Sequence, residues 1–518
     1  MNQDRRIVGK NVLESLTTGM YSDSRVIFRE YVQNSTDAID KAIAVGILAP
    51  NEGRIDITLD LDRREIRVCD NGTGILSQDV YHVLGDVGKS QKSHQENRGF
   101  RGIGRLGGLG YCDKLQFVTS YKGESCKTIT LWNCRELRRL LQPHVGQNMS
   151  LMDVVDAVTS QEQQPEEEGA HYFEVILTGI TEGHSDLLDV NDIKNYLSQV
   201  APVPFDYRTL MILQKINRRL HELGKVPEEF NIYLNGEQIY KPYKVNVLVE
   251  TKGNKYDHIT DIEFFEDYQN NEGLFFCGWY GVTQLSGIVK DETVNGLRIR
   301  KRNILIGDNR TADAFFGESD QRFNRWFVGE IYVFDDGLIP NSRRDNFEKN
   351  AVYFEFKRKL EKFILGKLKR LPGRFSDSRT NDRIISETTD FIQAVREDLD
   401  ADIGVTETQR GRIIEKISQV ETKVKRIKPQ AHTIVLPEEK ENAEEVISSE
   451  REEVQEKKNE LIEQLESLKK DTQIIRGCPK ITSYIDIKLR GGSSGLDNVV
   501  PLWAYTAFLQ IELLHFLV

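Results

Sequence analysis

Arg29-Glu30-Tyr31-Val32-Gln33-Asn34-Ser35-Thr36-Asp37-Ala38 is the stretch on which the reading of this chain turns. Around it, apolar residues at Val26, Ile27, Tyr31, Ile39 and Ala42 recur at helical spacing. On such a helix Glu30, Asn34 and Asp37 stand at i, i+4 and i+7 and share one face, which is too polar for a core. A carboxamide oxygen there can ligate Mg²⁺, a hard cation that prefers oxygen. A carboxylate one turn away can take the proton of an attacking water. Alone, the stripe is also the pattern of a solvated helix face.

Downstream, the strand-like runs Arg54–Leu61 and Glu65–Asp70 read as a hairpin hinged at Asp62-Arg63. The second run ends in Asp70-Asn71-Gly72-Thr73-Gly74. Gly72 and Gly74 let the backbone turn sharply and come close to a ligand. An aspartate ending a buried strand can accept a hydrogen bond from an exocyclic amine such as that of adenine, although an ordinary Asx turn has the same sequence. Glycines then crowd Gly99-Phe100-Arg101-Gly102-Ile103-Gly104 and Gly107-Gly108-Leu109-Gly110. A glycine-rich loop opening a helix offers free N–H groups to phosphates. The spacing is not that of a dinucleotide fingerprint.

Each motif is weak alone, but their order within eighty residues resembles the Bergerat-fold (GHKL) ATPases: gyrase-type topoisomerases, histidine kinases, mismatch-repair clamps and ninety-kilodalton heat-shock chaperones. The likeness is strongest toward the chaperones. Leu13-Glu14-Ser15-Leu16, Met20-Tyr21-Ser22, Phe28-Arg29-Glu30 and Asn34 to Lys41 resemble their N-terminal helices. Asp70 to Ser90, including Lys89-Ser90, and Gly99 to Lys114 resemble the adenine turn and the lid. Further on, Gly337-Leu338-Ile339-Pro340-Asn341-Ser342-Arg343-Arg344-Asp345 is similar to the middle-domain loop that brings an arginine to the γ-phosphate, and Leu297–Ile306 to the strand supporting it. In two places the pattern departs: the family's lid-helix asparagine falls on His82 or Val83, and its Gly-Thr appears as Gly169-Ala170.

The resemblance implies an α+β architecture: a Bergerat-type α/β sandwich at 1–185, then a second α/β domain at 186–372 carrying the arginine loop. It also implies ATP and Mg²⁺ as cofactors and ATP hydrolysis as the activity. Asp70, with Gly72 and Gly74, would hold adenine. Asn34 would ligate Mg²⁺ beside Asp37, and Glu30 would be the base. Lys89, Ser90 and the amides of Gly99, Gly102, Ile103 and Gly104 would enclose the phosphates. Arg344, with Arg343 as the alternative, would neutralise charge developing on the γ-phosphoryl group. Strands are expected at Leu115–Tyr121, Lys127–Trp132, Tyr172–Leu177, Phe230–Leu234 and Gly329–Phe334, and a surface excursion at Gln161–Glu168. A helix at Tyr353–Leu368 is expected to close at Pro372-Gly373.

Beyond about 380 no chaperone likeness is readable. Ile413, Ile417, Val420, Val424 and Ile427 form a heptad seam, and Ile447, Val454, Leu461 and Leu468 stand seven apart. Residues 411–428 carry six bases and two acids, and 441–470 five bases and ten acids. Opposite charge on consecutive arms favours an antiparallel, coiled-coil-like helical hairpin at 380–478. After Gly491-Gly492-Ser493-Ser494-Gly495, the apolar tail Leu502–Val518 completes a last segment, 479–518, suited to burial against a second copy.

Composition sets the outer bounds. The 518 residues suggest about three domains, and 70 bases against 81 acids give −11, which argues against a general coat for polyanions. Six scattered cysteines without C-x-x-C spacing exclude an evident zinc ribbon and fit a reducing compartment. Neither a signal-peptide h-region nor a membrane span is readable, so a cytoplasmic protein is expected. The resemblance leaves two function classes: a chaperone-like ATP-driven clamp that remodels a client or effector protein as a homodimer or higher oligomer, or a GHKL ATPase acting on nucleic acid or within a bacterial anti-phage defence or repair complex. The basic run Arg298–Arg302 and the charged helical hairpin lean toward the second.

Overall fold

The polar stripe of the opening motif has its apolar counterpart on the same helix. In the computed structural model, α1 (Val26–Ala44) buries Ile27, Phe28, Tyr31, Val32, Ile39 and Ala42. All but Ala42 join a core shared with Ile55, Ile57, Ile66 and Val68. Each large apolar side chain so buried contributes about 1.5–3 kcal/mol, which fixes the opposite face of α1 away from the sheet. Residues 10, 23–85, 104–142, 144–145, 149–208, 211–226, 228–251, 253–269, 273–400, 407–429 and 440–474 are described. Lys89, Ser90, Gly99, Gly102, Ile103 and the 479–518 segment lie outside them.

The strands β1 (Arg54–Asp60) and β2 (Glu65–Asp70) form the expected antiparallel hairpin. After them come α2 (Val80–Gly85), β3 (Lys114–Ser120), β4 (Cys126–Asn133), α3 (Cys134–Leu141) and α4 (Leu151–Val158). Next are β5 (Thr159–Pro165), β6 (Tyr172–Thr178), α5 (Val190–Val200), α6 (Gln214–Glu222), β7 (Asn231–Leu234) and β8 (Glu237–Gln238). The eight strands form one sheet in the order β5-β4-β3-β6-β2-β1-β7-β8. Its pairings are antiparallel except β1 with β7. The architecture is α+β, as the sequence implied.

Two boundaries differ from the sequence reading. The polar stretch expected as a surface excursion begins within β5, an exposed edge strand held to β4 by its main chain. Edge strands tolerate polar side chains on both faces, so alternation is absent. The sheet and its core also continue past residue 185, through Leu187, Ile193, Leu197, Ile232 and Ile239. A parallel partner for β1 has to come from beyond a crossover, which β7 supplies.

The second sheet has the order β11-β12-β15-β13-β14, from β11 (Asp261–Gln269), β12 (Gly273–Val282), β13 (Gly296–Lys301), β14 (Ile304–Ile306) and β15 (Val328–Val333). A ribbon of β9 (Asn246–Thr251) and β10 (Gly253–His258) accompanies it. The run expected as a single strand at 297–306 is a hairpin. Lys301 pairs with Ile304, and the two loop residues Arg302 and Asn303 have φ of 50° and 58°. Positive φ at both positions makes the two-residue turn whose twist matches paired strands.

Pro372 does not stop a helix. α7 (Ala351–Phe363) runs into a π-helical turn at Ile364–Leu368, and α8 (Arg370–Asp400) then includes Pro372 as its third residue. In a first turn the missing N–H has no intrahelical partner to lose. The chain divides into two compact units, Met1–Pro372 and Gly373–Val518. Within the second, α9 (Glu407–Lys425) and α10 (Lys440–Ile474) lie antiparallel, with Lys458 Nζ donating to the Ile427 carbonyl and Lys469 Nζ to Ser418 Oγ. Their seam of Ile413, Ile417, Val424, Leu461, Leu465 and Leu468 also takes Ile392 and Val395 from α8. The expected hairpin is therefore a three-helix cluster, because the α9–α10 seam is wide enough to need a third apolar face.

Candidate functional site

The polar face of α1 carries Glu30, Asn34 and Asp37, as its spacing required. Glu30 and Asp37 are buried and Asn34 is half-buried. The Tyr31 hydroxyl, on the core side of the same helix, accepts a hydrogen bond from Gly108 N at 3.1 Å. Burial raises the ionisation of this phenol well above the usual range, so it stays neutral. This bond seats the 3₁₀ helix Gly104–Gly110 on α1. Gly104 consequently lies so close to Glu30 that a Cβ there would overlap Glu30 Oε2. Glycine at this end of the loop is thus a condition for placing the carboxylate.

Asp70 ends β2 fully buried, and its Oδ1 accepts from Gly72 N at 2.9 Å. Gly74 has φ 67°, and a Cβ there would collide with the Ser120 carbonyl oxygen. Three further groups hold the turn. Thr73 N donates to the Ala38 carbonyl of α1 at 3.3 Å. Ile75 N donates to Thr119 Oγ1 at 2.9 Å. His171 Nδ1 lies 2.9 Å from the Gly72 carbonyl and 3.1 Å from that of Asn71, so the proton must sit on Nδ1. At the Gly169-Ala170 departure, the Ala170 carbonyl accepts the Ser120 hydroxyl at 3.3 Å.

The arginine loop reaches the same carboxylate. Arg344 Nε lies 3.6 Å from Glu30 Oε1, and both side chains are about one-tenth exposed. Arg344 has φ 57°, left-handed for a bulky residue. That conformation costs about 1–2 kcal/mol. It is locked by Gly307 N donating to the Arg344 carbonyl at 2.8 Å and by Arg344 N donating to that of Asn341 at 3.1 Å. Asp345 accepts from Asn341 Nδ2 at 2.6 Å. Arg343 is exposed and turns its carbonyl, not its guanidinium, toward α1, accepting from Arg29 Nη2 at 3.1 Å. Arg29 Nη2 also approaches Glu30 Oε1 at 3.4 Å. A cleft of about 920 Å³ opens beside Arg29, Arg343 and Arg344, bordered by acids (Asp23, Asp192, Asp308) as well as arginines, and Glu30 does not line it.

Sequence reasoning passed over Arg29, Gln33, Thr119 and His171. Arg29 and Gln33 stand inside the quoted motif at i−1 and i+3 from Glu30, a position that marks them as flanks of the same stripe. Nothing local marks Thr119 or His171. The basic run Arg298–Arg302 is not a surface patch: Arg298 and Arg300 are fully buried. Arg300 Nε donates to Glu330 Oε1 at 2.5 Å and its Nη2 to the Gln199 carbonyl at 2.7 Å. Arg298 donates to the Asn295 and Glu292 carbonyls at 2.6 and 2.8 Å.

The donor set suits a hard cation with phosphates: Glu30, Asn34 and Asp37 present oxygen acceptors, and Gly104 leaves a gap that a side chain would fill. Among the described residues no group of three or more His, Cys, Asp or Glu could hold a metal by itself. A cation at Asn34 would therefore complete its shell from phosphate oxygens and water.

The family described as histidine kinase-, DNA gyrase B-, and HSP90-like ATPase matches residues 21–161. The chain thus carries a GHKL-type ATPase domain there, containing Glu30, Asn34, Asp37, Asp70 and the Gly104 turn. A stretch of this chain is also similar to curated proteins named chaperone protein HtpG. That of Anaplasma marginale is 32% identical over 133 residues, 23% of this chain and 20% of the relative. Those of Chromobacterium violaceum and Psychromonas ingrahamii are both 30% identical, over 135 and 140 residues. These two matches cover 22% and 23% of this chain, and 21% and 22% of the relatives, so the shared stretch is about a fifth of each relative's length. Among the described residues no helix is long and apolar enough to cross a membrane.

Proposed function

We propose that this chain binds ATP with Mg²⁺, hydrolyses it to ADP and phosphate, and uses the cycle as a conformational clamp that remodels a partner protein. One observation carries the reading: a buried carboxylate on α1, Glu30, has the glycine turn at one oxygen and an arginine of the second α/β region, Arg344, at the other. Asp70 accepts the adenine amine, and Gly74 keeps the backbone thin beside the base. Asn34 supplies a carboxamide oxygen to Mg²⁺, with Asp37 beside it. Glu30 orients water and takes its proton. Arg344 neutralises charge developing on the γ-phosphoryl group. Arg343 is the weaker candidate, since its carbonyl rather than its guanidinium is engaged with α1. Lys89, Ser90 and the amides of Gly99–Ile103 complete the phosphate enclosure.

The Glu30 contacts, at 3.4 and 3.6 Å, exceed the ~2.7–2.9 Å of a tight charge-assisted hydrogen bond. The carboxylate is held in place without being consumed, and the adjoining cleft gives Arg344 room to shift as a phosphate enters. Burial of Arg298 and Arg300 removes one of the two features that favoured nucleic acid, the charged hairpin being the other, and supports a protein client. A cytoplasmic homodimer or higher oligomer is part of this proposal, with α8–α10 and the 479–518 tail as candidate tethers. The test is ATP turnover by the full chain alone and with a denatured protein, DNA or RNA, alongside sedimentation. Turnover raised by the denatured protein, in a dimer or larger species, supports the reading. Stimulation by nucleic acid alone would replace the client, and absence of ATP hydrolysis would remove the enzyme.

A further inference from the structure

Gln33 is fully buried, yet neither its Nε2 nor its Oε1 has a hydrogen-bond partner. Native interiors almost always satisfy both ends of a buried amide, so such a group calls for a reason. Its main chain is ordinary helix, with the carbonyl accepting from Thr36 Oγ1 at 2.9 Å. The reason has to lie in what the side chain is for.

Its place on α1 supplies one. At 100° per residue, Gln33 stands about 60° around the helix from Glu30 and about 40° from Asp37. It belongs to the polar stripe, not to the apolar face. Helical side chains lean back over the preceding turn, which puts the Gln33 carboxamide over the level of Glu30 and Arg29. Glu30 Oε1 is approached by Arg29 and Arg344, whereas Oε2 faces Gly104 and has no hydrogen bond among the described residues. An unpaired amide therefore stands about one helical turn from a carboxylate oxygen that has no hydrogen bond among the described residues.

We propose that Gln33 is a further catalytic residue, whose Oε1 accepts one hydrogen of the attacking water while Glu30 takes the other; this rests on the ATP hydrolysis proposed above. The water oxygen forms its bond to the γ-phosphorus, the bond from that phosphorus to the bridging oxygen breaks, the proton passes to Glu30, and ADP leaves. Two acceptors on one water fix its lone pair toward phosphorus. The amide stays unpaired in the resting protein because its partner arrives with the substrate.

This makes an unusual demand on Gln33→Met, which keeps length and removes both polar atoms. Relieved of an unsatisfied amide, the nucleotide-free variant should melt at or above the parent temperature. Affinity for a non-hydrolysable ATP analogue should stay within about twofold, while kcat falls at least tenfold, the lower range for losing an orienting group. Gln33→Glu is the second variant. A carboxylate beside Glu30 favours the protonated base, so the acid limb of its kcat–pH profile should move to higher pH. Undiminished kcat in Gln33→Met, or a melting temperature that falls together with kcat and is joined by an unmoved acid limb in Gln33→Glu, would overturn the assignment. A parent chain without ATP turnover would instead overturn the underlying function, and the assignment with it.

Discussion

Two buried carboxylates in this molecule face two cations each, and they are treated in opposite ways. Glu330 on β15 is saturated: Arg300 Nε at 2.5 Å and Tyr243 OH at 2.9 Å donate to one oxygen, and Lys241 Nζ at 2.6 Å and Tyr332 OH at 2.5 Å to the other. Glu30 on α1 has Arg29 and Arg344 at 3.4 and 3.6 Å, both at one oxygen. In the first cluster every lone pair has a short partner, so the charge is a fixed part of the fold. In the second, one oxygen is left toward a glycine, and the two arginines at the other oxygen line a cleft. Saturation serves architecture, and incomplete contact fits the role of base proposed for Glu30.

The sharpest way to break the contrast is to remove each carboxylate. Glu30→Ala should lower turnover by ~10²–10⁴-fold while leaving affinity for an ATP analogue near that of the parent. Turnover at the parent rate would mean that this helix does not supply the base. Glu330→Gln should do the reverse. It leaves Arg300 and Lys241 buried without a counter-charge, so the fold should lose about 3–5 kcal/mol in denaturant melts. Variants that fold should keep the parental ratio of turnover to bound nucleotide. A change at Glu330 that altered the pH dependence of turnover but not stability would erase the distinction between the clusters.

How much of this was legible in the sequence follows the same division. The α1 stripe, the β1–β2 hairpin and the Asp70–Gly74 turn are written in local spacing, because a helix face, an alternating strand and a glycine turn are decided within a few residues. That Arg344 rather than Arg343 meets Glu30 was favoured by the family resemblance but is not written in local spacing. It depends on the left-handed φ of Arg344 and on Gly307 capturing its carbonyl, a contact across 37 positions. The run Arg298–Arg302 looked like a surface because strand alternation says which residues share a face, not what that face meets. Arg298 and Arg300 share one that is covered by α5, through Gln199, and by Glu330. The third helix of the C-terminal cluster was hidden by Pro372, which acts as a stop only beyond the first turn.

Arg344→Ala sharpens the comparison from the cation side. Removing a pre-placed positive group from a developing charge typically costs 10²–10³-fold. Turnover should fall by about that much, with analogue affinity little changed, because the contact at 3.6 Å belongs to Glu30 and not to the adenine turn. Arg343→Ala should be near neutral, since its carbonyl makes the contact with Arg29. Equal loss of affinity and turnover in Arg344→Ala would place the guanidinium among the ground-state contacts.

The smallest effect tests the saturated cluster by pH. Burial alone would raise the pKa of Glu330, but Arg300 and Lys241, with the hydrogen bonds of Lys241 and Tyr332, hold it down to about 2 against an ordinary 4.5. A carboxyl depressed in the folded state binds its proton later than in the unfolded chain. Its contribution to stability is therefore complete above pH 4.5 and lost as the pH falls toward 2. Glu330→Gln has no such proton to take up. As the solution is acidified below pH 4.5, the stability gap between parent and variant should narrow by up to about 1.4 kcal/mol per pH unit. Comparing the two proteins cancels the carboxylates remote from the cluster, whereas Glu229 and Lys241 also feel the loss of the Glu330 charge. A gap that stayed level from pH 5 to pH 2.5 would show that the proton is taken up at the same pH in both states, and that short contacts at Glu330 do not hold its charge.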